Sequence, residues 1–274
     1  MFAKLLKYEW KATSRLLGIL TLCALGIGLL GGGVVQALVF FVQKSVVRGE
    51  AALATVGFSF LLMGLFFALV IYAAGIQFYL LFRFYKSRFT DEGYLTFTLP
   101  ASNRSIFLSS YANTLLWEFI AMATVFASVG IAVLIGCIGN VDGEWQEVFY
   151  VFREFRDIYA SVGLDGMMAI QIVGAVLSYA SGVMVMMGSI TVGAVVAKKH
   201  KILAAIGIYY GQSVVMSIIS GVIQIFASFS MLGSYGSFDG YIWMYCLTYV
   251  LQLGWGIGAY FLSMHLINKK LNLP

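Results

Sequence analysis

The stretch from Ala51 to Phe82 reads AALATVGFSFLLMGLFFALVIYAAGIQFYLLF and contains no Asp, Glu, Lys or Arg. A helix needs about 20 predominantly apolar residues to cross the hydrocarbon layer of a bilayer, so this run is long enough. Apolar side chains fill all sides of the run instead of alternating with polar ones, which argues against a strand of a membrane barrel. The stretch therefore predicts a membrane-spanning helix that tilts or protrudes into the headgroups.

Five further runs have the same character, and only the third of the six contains an ionisable carboxylate or cation, at Glu118. The sequence thus predicts an all-α membrane protein whose domain of six transmembrane helices occupies residues 16–267, between a helix over 1–15 and a tail over 268–274. The six predicted spans are 16–42, 51–82, 106–139, 167–197, 202–233 and 241–267.

The composition of the whole chain supports this class. Apolar residues make up 61% of the 274 residues and charged residues 11%, whereas soluble domains average about 25% charged residues. Too little polar surface is available to cover a soluble core, and disorder would need high charge and low hydrophobicity. The formal net charge of +5 does not indicate nucleic-acid binding, because in a membrane protein the position of the charges matters more than their sum.

The cations between the spans predict the orientation of the chain. Thirteen Lys and Arg lie on one side of the predicted membrane and four on the other. Positive residues stay cytoplasmic, so both termini are expected inside. The connection over 140–166 is acidic and is expected outside. The inner cations are Lys4, Lys7, Lys11, Arg15, Arg83, Lys86, Arg88, Arg104, Lys198, Lys199, Lys201, Lys269 and Lys270; the outer ones are Lys44, Arg48, Arg153 and Arg156.

The sequence offers no motif for covalent chemistry. A phosphate-binding loop would need G-x-x-x-x-G-K-[ST] and a zinc protease H-E-x-x-H, and neither occurs. Cys23, Cys137 and Cys246 lie far apart and lack metal-binding or redox spacing. We therefore expect no catalytic residue, no metal and no cofactor in this chain, and we do not expect it to be an enzyme.

The first fifteen residues predict an amphipathic helix lying on the anionic inner leaflet. At 100° per residue, one narrow face carries all four cations, and Phe2, Leu5 and Leu6 fall opposite. Glu9 interrupts the apolar side. Either it snorkels to the headgroups, or it pairs with a cation of a neighbouring element. The four cations are Lys4, Lys7, Lys11 and Arg15.

The connection over 83–105 is the most informative loop. Arg83, Lys86 and Arg88 are expected to extend the second helix into the cytosol, and Gly93 to stop it with a positive φ. Ser102 is expected to cap the third helix. Residues 94–99 are apolar and aromatic yet cytoplasmic, which is typical of an interaction site. Their period-two alternation leaves a strand open, beside a short helix docking on a partner or a turn resting on lipid.

Three stretches of this sequence resemble bacterial ABC-2-type permeases. They are Met1-FAKLLKYEWKATS-Arg15, Asp91-EGYLTFTLPA-Ser102 and Leu115-Leu-Trp117. The resemblance implies the membrane subunit of an ATP-binding-cassette exporter, which forms a homodimer or heterodimer and binds a separate ATPase subunit. Relatives often have a Lys before the third span, where this chain has Ser109 and Ser110. Within the connection 83–105, the resemblance implies a coupling segment over residues 91–100. This segment would supply the ATPase contacts: Asp91, Glu92, Gly93, Tyr94, Phe97 and Pro100.

Two questions stay open at this level. Glu118 either lines a pathway or locks two helices together, or else it rests at the headgroup level without a partner; the charge-free run that follows it favours the last interpretation. The second question concerns function. Spans with few charges favour an amphipathic cargo for an exporter. The alternatives are an accessory or immunity-type membrane protein and an ion-coupled carrier, which would be expected to show intramembrane charges or broken helices.

Overall fold

The computed structural model describes residues 1–45, 51–90, 92–93, 98, 101–138, 150, 153–154, 156–157, 165–197, 199–232 and 238–270. Its regular structure consists of long helices, and the described residues contain no strand. The six helices are α1 (Phe2–Ser45), α2 (Ala51–Phe89), α3 (Asn103–Ile138), α4 (Asp165–Val196), α5 (Lys201–Leu232) and α6 (Phe238–Lys270).

Each of the six helices is long and apolar enough to cross a membrane, which confirms the predicted fold class. Large apolar side chains point away from the protein along these helices. Phe60, Phe78, Phe126, Phe226 and Trp243 are each at least 70% exposed. A soluble protein rarely exposes so much apolar surface, whereas acyl chains cover it without cost. The chain is a multi-pass membrane protein.

The N-terminal helix and the first span form one element. Helix α1 runs without a break from Phe2 to Ser45. At about 1.5 Å per residue its 44 residues extend over roughly 66 Å, more than the thickness of a bilayer with its headgroups. The predicted helix over the first fifteen residues is therefore present. Its orientation relative to a membrane stays a prediction.

The chain divides into two compact units. The N-terminal unit comprises Leu6–Leu80 and Asn113–Asp157, and the C-terminal unit comprises Met1–Leu5, Leu81–Ala112 and Ile158–Pro274. In the N-terminal unit, apolar side chains of α1, α2 and α3 share one buried cluster: Leu17, Ala24, Leu69, Tyr72, Ile76, Leu80, Trp117 and Ala121.

Close contact between α1 and α3 depends on glycines of α1. A Cβ at Gly28 would lie 2.7 Å from the Cα of Ser128, and one at Gly32 would lie 2.8 Å from Cγ2 of Ile135. Small residues in membrane helices let backbones approach in this way. By contrast, two glycines of α5 and two of α6 are also spaced four residues apart, but a Cβ at any of them would meet no described atom within 4 Å. Those four open positions are Gly207, Gly211, Gly254 and Gly258.

The C-terminal unit packs α4 against both α5 and α6. Gly193 of α4 lies against the backbone of Ala205, where a Cβ would come within 2.6 Å of the alanine Cα. On the other side, Gly188 faces Ala259 and Ser263 of α6, and the Ser181 hydroxyl donates a hydrogen bond to the Gln252 carbonyl. The same unit holds the last turns of α2 and the first turns of α3, which flank the predicted coupling segment.

Candidate functional site

The end of α2 and the start of α3 are joined by one buried guanidinium. Nη2 of Arg88, in the last turn of α2, donates a hydrogen bond of 2.7 Å to the backbone carbonyl of Ile106, in the first turn of α3. Arg88 is only 2% exposed. The bond spans the whole segment between the two helices, so both ends of that segment are held together. We call Arg88 and the residues in contact with it the loop base.

One aromatic ring lies against the guanidinium at the loop base, and two further rings pack on that one. The Arg88 guanidinium carbon lies 4.8 Å from the centroid of the Phe84 ring, and Phe84 in turn packs edge-to-face on Phe89 and Phe107, at 5.9 and 5.7 Å. The faces of such rings attract cations, most strongly where water is excluded. The rings and the Ile106 carbonyl thus offset part of the cost of burying the charge.

The three cations in the last turns of α2 differ in exposure. The sequence predicts that Arg83, Lys86 and Arg88 extend α2 into the cytosol; α2 does continue to Phe89, and of the three side chains only Lys86 is largely exposed. Its Nζ forms an ion pair of 3.1 Å with Glu92, and both side chains are more than half exposed. Arg88 follows Phe84 by four residues and so shares its packed face, whereas Lys86 points away from that face.

Gly93 contributes to the loop base by close approach. Its N–H donates to the Thr90 carbonyl at 2.8 Å, which closes a turn after α2. A Cβ at this position would collide with the backbone of Arg88, 2.7 Å from the carbonyl carbon. The expected positive φ is absent, so that part of the prediction is wrong. Glycine is needed here for space, and not for a left-handed conformation.

The start of α3 is capped as the sequence predicts. The Ser102 hydroxyl accepts a hydrogen bond of 3.3 Å from the Ser105 N–H, and its carbonyl accepts one of 3.1 Å from the Ile106 N–H. Next to the cap, the Asn103 side-chain amide donates to the Asn268 side-chain carbonyl at 2.9 Å. The beginning of α3 is thereby held to the end of α6 within the C-terminal unit.

The coupling segment itself is described only in part. Of its predicted ATPase contacts, Glu92 is exposed and Gly93 is buried at the loop base. Asp91, Tyr94, Phe97 and Pro100 lie outside the described residues, as does the question of a strand over 94–99. The acidic connection over 140–166 is likewise described at a few positions only, where Arg156 pairs with Asp157 at 3.0 Å.

Glu118 lies in α3 of the N-terminal unit and is 4% exposed. It is not without a partner. A carboxylate resting among headgroups would be exposed, so this burial disfavours the headgroup interpretation; the pathway and helix-lock interpretations both stay predictions. The neighbouring Trp117 stacks on Trp10 of α1 with ring centroids 4.6 Å apart, and its indole N–H donates to the Thr13 hydroxyl at 2.9 Å.

This contact belongs to a polar seam that the sequence analysis missed. In the N-terminal unit, α3 buries several polar side chains on one face, and the Ser128 hydroxyl donates to the Ala24 carbonyl of α1 at 2.8 Å. Their spacing of about four residues is the signal that would have revealed this face. We call the contacts of this face with Trp10, Thr13 and Ala24 the α1–α3 seam. The polar residues are Asn113, Thr114, Glu118, Thr124 and Ser128.

The predicted basic face of α1 is exposed, because Lys4, Lys7, Lys11 and Arg15 all project away from the protein. Glu9 is half-buried and interacts with another group of the protein, and its pairing with a cation of a neighbouring element stays a prediction. The side opposite the cations therefore packs partly on protein, as the stacking of Trp10 shows.

Potential metal ligands do not cluster in the described part of the chain. The described residues contain no group of three His, Cys, Asp or Glu that could hold a metal ion. Cys23 is exposed and Cys246 is half-buried, each as a free thiol. No family model, no curated protein and no solved structure matches the chain. The candidate site is the segment between α2 and α3, whose two ends are held together by the buried Arg88 side chain.

Proposed function

We propose that the chain is the membrane-spanning permease subunit of an ATP-binding-cassette exporter in a bacterial plasma membrane. A separate ATPase subunit would bind the coupling segment 91–100 and hydrolyse ATP, and the chain would supply the pathway without covalent chemistry. It would work as a homodimer or heterodimer of permease chains. The proposal combines the multi-pass fold with the similarity of three stretches to ABC-2-type permeases.

The loop base is the observation that carries the proposal. An ATPase that displaces a flexible loop transfers little of that movement to the neighbouring helices. One that displaces a loop with fixed ends also moves the helices attached to it. The Arg88–Ile106 bond fixes one end of the segment to the other, and the Ser102 cap and the Asn103–Asn268 bond fix the start of α3. Displacement of the segment would therefore reach α2, α3 and α6 together.

The charge distribution supports a cytoplasmic position for the segment. The loop carries Arg83, Lys86, Arg88 and Arg104 at its two ends, and cations next to spans stay on the cytoplasmic side. We propose that both termini lie on this side and that 140–166 faces outward. ATP and its hydrolysing subunit are cytoplasmic, so the proposal requires this orientation.

The cargo we propose is amphipathic or lipid-like. Charged side chains inside the described spans are few, and a small hydrophilic ion would lose its hydration without compensation there. For nucleotide to drive movement of such a cargo, the ATPase must bind the two conformations of the permease with different free energies. The coupling segment is where that difference would arise.

Copurification tests the proposal. The chain is expressed with a P-loop ATPase, whose gene the proposal expects beside its own, and Tyr94→Asp and Phe97→Asp are compared with wild type. We expect both substitutions to abolish recovery of the ATPase, because a charge in an apolar contact costs several kcal/mol, on the order of a hundredfold or more in affinity. Tyr150→Asp, on the predicted outer loop, is the matched control and should leave recovery unchanged.

The competing functions give different results. If both coupling-segment variants retain the ATPase in wild-type amounts, the docking role is excluded. An accessory or immunity-type protein would be indicated if the chain binds another membrane protein and no nucleotide-hydrolysing partner. An ion-coupled carrier would move its cargo under an ion gradient without ATP.

A further inference from the structure

A crevice in the C-terminal unit lies among α3, α4 and α6. Its volume is about 340 Å³, and its walls are Leu108 and Tyr111 of α3, Met184 of α4, and Gly256, Ile257 and Tyr260 of α6. This volume falls at the lower end of small-molecule sites, which measure roughly 300–1,000 Å³. At Gly256 a Cβ would lie 3.1 Å from the Cα of Ser181, so glycine lets α6 approach α4 closely at this wall of the crevice.

The walls of the crevice are apolar in character. The Tyr111 hydroxyl, the polar group of its α3 wall, already donates to the Ala180 carbonyl at 2.9 Å. The Tyr260 ring packs on Phe107 with centroids 5.8 Å apart. A polar occupant would therefore lose hydration and find few partners here, whereas a hydrocarbon chain would lose nothing. Met184 adds a flexible, polarisable wall that adapts to such a chain.

The crevice opens to the side of the helices. Ile257, one of its lining residues, is 57% exposed, and it belongs to the part of α6 that is long and apolar enough to span a membrane, Trp243–Lys269. The surroundings of a spanning helix at this depth are acyl chains of the bilayer. A lipid tail can thus enter from the side without crossing water.

The cation Arg104 lies near the end of the crevice, where the headgroup of such a lipid would be placed. Arg104 is on the same face of α3 as Leu108 and Tyr111, and about 6 Å along the helix axis from Leu108. It is exposed, and among the described residues it forms no ion pair. Lys269 and the Asn103–Asn268 pair lie at the ends of the same two helices. Phosphate is the anion that an arginine fork and amide donors recognise at a membrane surface.

We propose that this crevice binds one acyl chain of an anionic phospholipid of the bilayer, with the lipid phosphate at Arg104. The site is distinct from the coupling segment and does not depend on the proposed function. The bound lipid fills the space among α3, α4 and α6, and its headgroup lies beside the amide pair that joins α3 to α6. Loss of the lipid should therefore loosen the start of α3.

The full-length chain in mild detergent provides the test. Native mass spectrometry measures binding of phosphatidylglycerol and of phosphatidylcholine with identical oleoyl chains, and thermal unfolding measures their stabilisation. We expect one phosphatidylglycerol to bind in preference to phosphatidylcholine. Arg104→Gln should weaken phosphatidylglycerol binding about fivefold, to the level of phosphatidylcholine, because one arginine near the surface contributes that much. Leu108→Trp should fill the crevice and remove both lipids.

Matched variants keep the result interpretable. Lys199→Gln removes an exposed cation at another helix end, and Leu116→Trp adds the same ring at an exposed position of α3; both should bind lipid as wild type does. Met184→Phe, a second crevice-filling change, replaces Leu108→Trp if that variant fails to fold. The proposal is overturned if Lys199→Gln weakens phosphatidylglycerol binding as much as Arg104→Gln does, or if a folded crevice-filling variant retains the lipid.

Discussion

The loop base and the α1–α3 seam both bury polar groups in an apolar protein, and they do so in different ways. In the seam the groups that donate from α3 to α1 are neutral, although the same face of α3 also buries the Glu118 side chain: Trp117 donates to Thr13 and Ser128 to a backbone carbonyl. At the loop base the donor is a full positive charge that reaches across a chain reversal to Ile106. Neutral, satisfied groups stabilise packing at little cost, whereas a buried charge is expensive and often contributes less than an apolar substitute would.

This difference indicates separate roles for the two regions. We infer that the seam holds α1 and α3 together whatever the protein does, while the loop base keeps a costly arginine because the position of the loop matters. Substitutions in the seam should then change stability, and substitutions at the loop base should change coupling more than stability.

The largest expected effect is that of Arg88→Met, a change that removes the charge and keeps most of the volume. Ile106 keeps a second partner for its carbonyl in the Ser109 hydroxyl, at 2.9 Å. We therefore expect a change in unfolding free energy below about 1.5 kcal/mol, with the partner ATPase still bound. Its ATP hydrolysis, measured per bound subunit in lipid nanodiscs, should lose its dependence on the permease, at least about tenfold, or roughly 1.4 kcal/mol.

Arg88→Lys is the companion variant, and it should restore only part of the coupling because lysine keeps the charge without the planar fork. If Arg88→Met instead unfolds the protein, or leaves ATP hydrolysis as in wild type, the loop base is not a coupling element.

After this effect on coupling, the largest effect on stability is expected at the α1–α3 seam. Gly28→Leu forces a side chain against the Ser128 backbone and should destabilise the protein by about 1–3 kcal/mol. Gly26→Leu is the matched control, since a Cβ at Gly26 meets no described atom within 4 Å. Thermal unfolding in detergent should show a lower midpoint for Gly28→Leu only. Equal midpoints for the two variants would contradict close packing at Gly28.

A smaller effect is expected when a single hydrogen bond of the seam is removed. Trp117→Phe keeps an aromatic ring against Trp10 and removes the indole N–H that binds Thr13. The Thr13 hydroxyl still donates to the Glu9 carbonyl at 3.0 Å, so no buried group is left unsatisfied at that residue. The loss should be about 0.5–1.5 kcal/mol, read from unfolding midpoints, with the ATPase still recovered.

The smallest effect is expected for the exposed ion pair beside the loop base. Lys86→Gln removes the partner of Glu92, and both side chains are more than half exposed. Such pairs contribute about 0–1 kcal/mol and are screened by salt. Unfolding should therefore change little, and any change should shrink in high salt. If Lys86→Gln lost as much of the permease dependence of ATP hydrolysis as Arg88→Met does, the two cations would act alike, contrary to the comparison above.

The sequence was sufficient for the large-scale fold and for the cap on α3. Spans are set by uninterrupted apolar runs, which a one-dimensional sequence displays directly. The Ser102 cap is a local property of one turn, so its residue type reveals it.

Burial of individual polar residues was beyond the sequence. In the sequence, Arg88 and Lys86 cannot be distinguished, because both are cations that follow an apolar run. Only the packing of one face of α2 buries Arg88 and leaves Lys86 exposed. Glu118 raised the same difficulty: whether a carboxylate near a span end is exposed or buried depends on neighbours that are distant in sequence. The need for Gly93 comes from the folded backbone of Arg88, so no turn rule could predict it.

The central claim is that a separate ATPase binds the coupling segment between α2 and α3. Site-specific photocrosslinking in living cells tests this claim most directly. A benzoylphenylalanine replaces Tyr94 in one strain and Tyr150, on the predicted outer loop, in another. Our account predicts that the probe at Tyr94 captures a protein carrying the phosphate-binding loop G-x-x-x-x-G-K-[ST], and that the probe at Tyr150 does not. Capture of that protein from Tyr150, or labelling of a Tyr94→Cys variant, and not of wild type, by a membrane-impermeant maleimide from outside the cell, would contradict it.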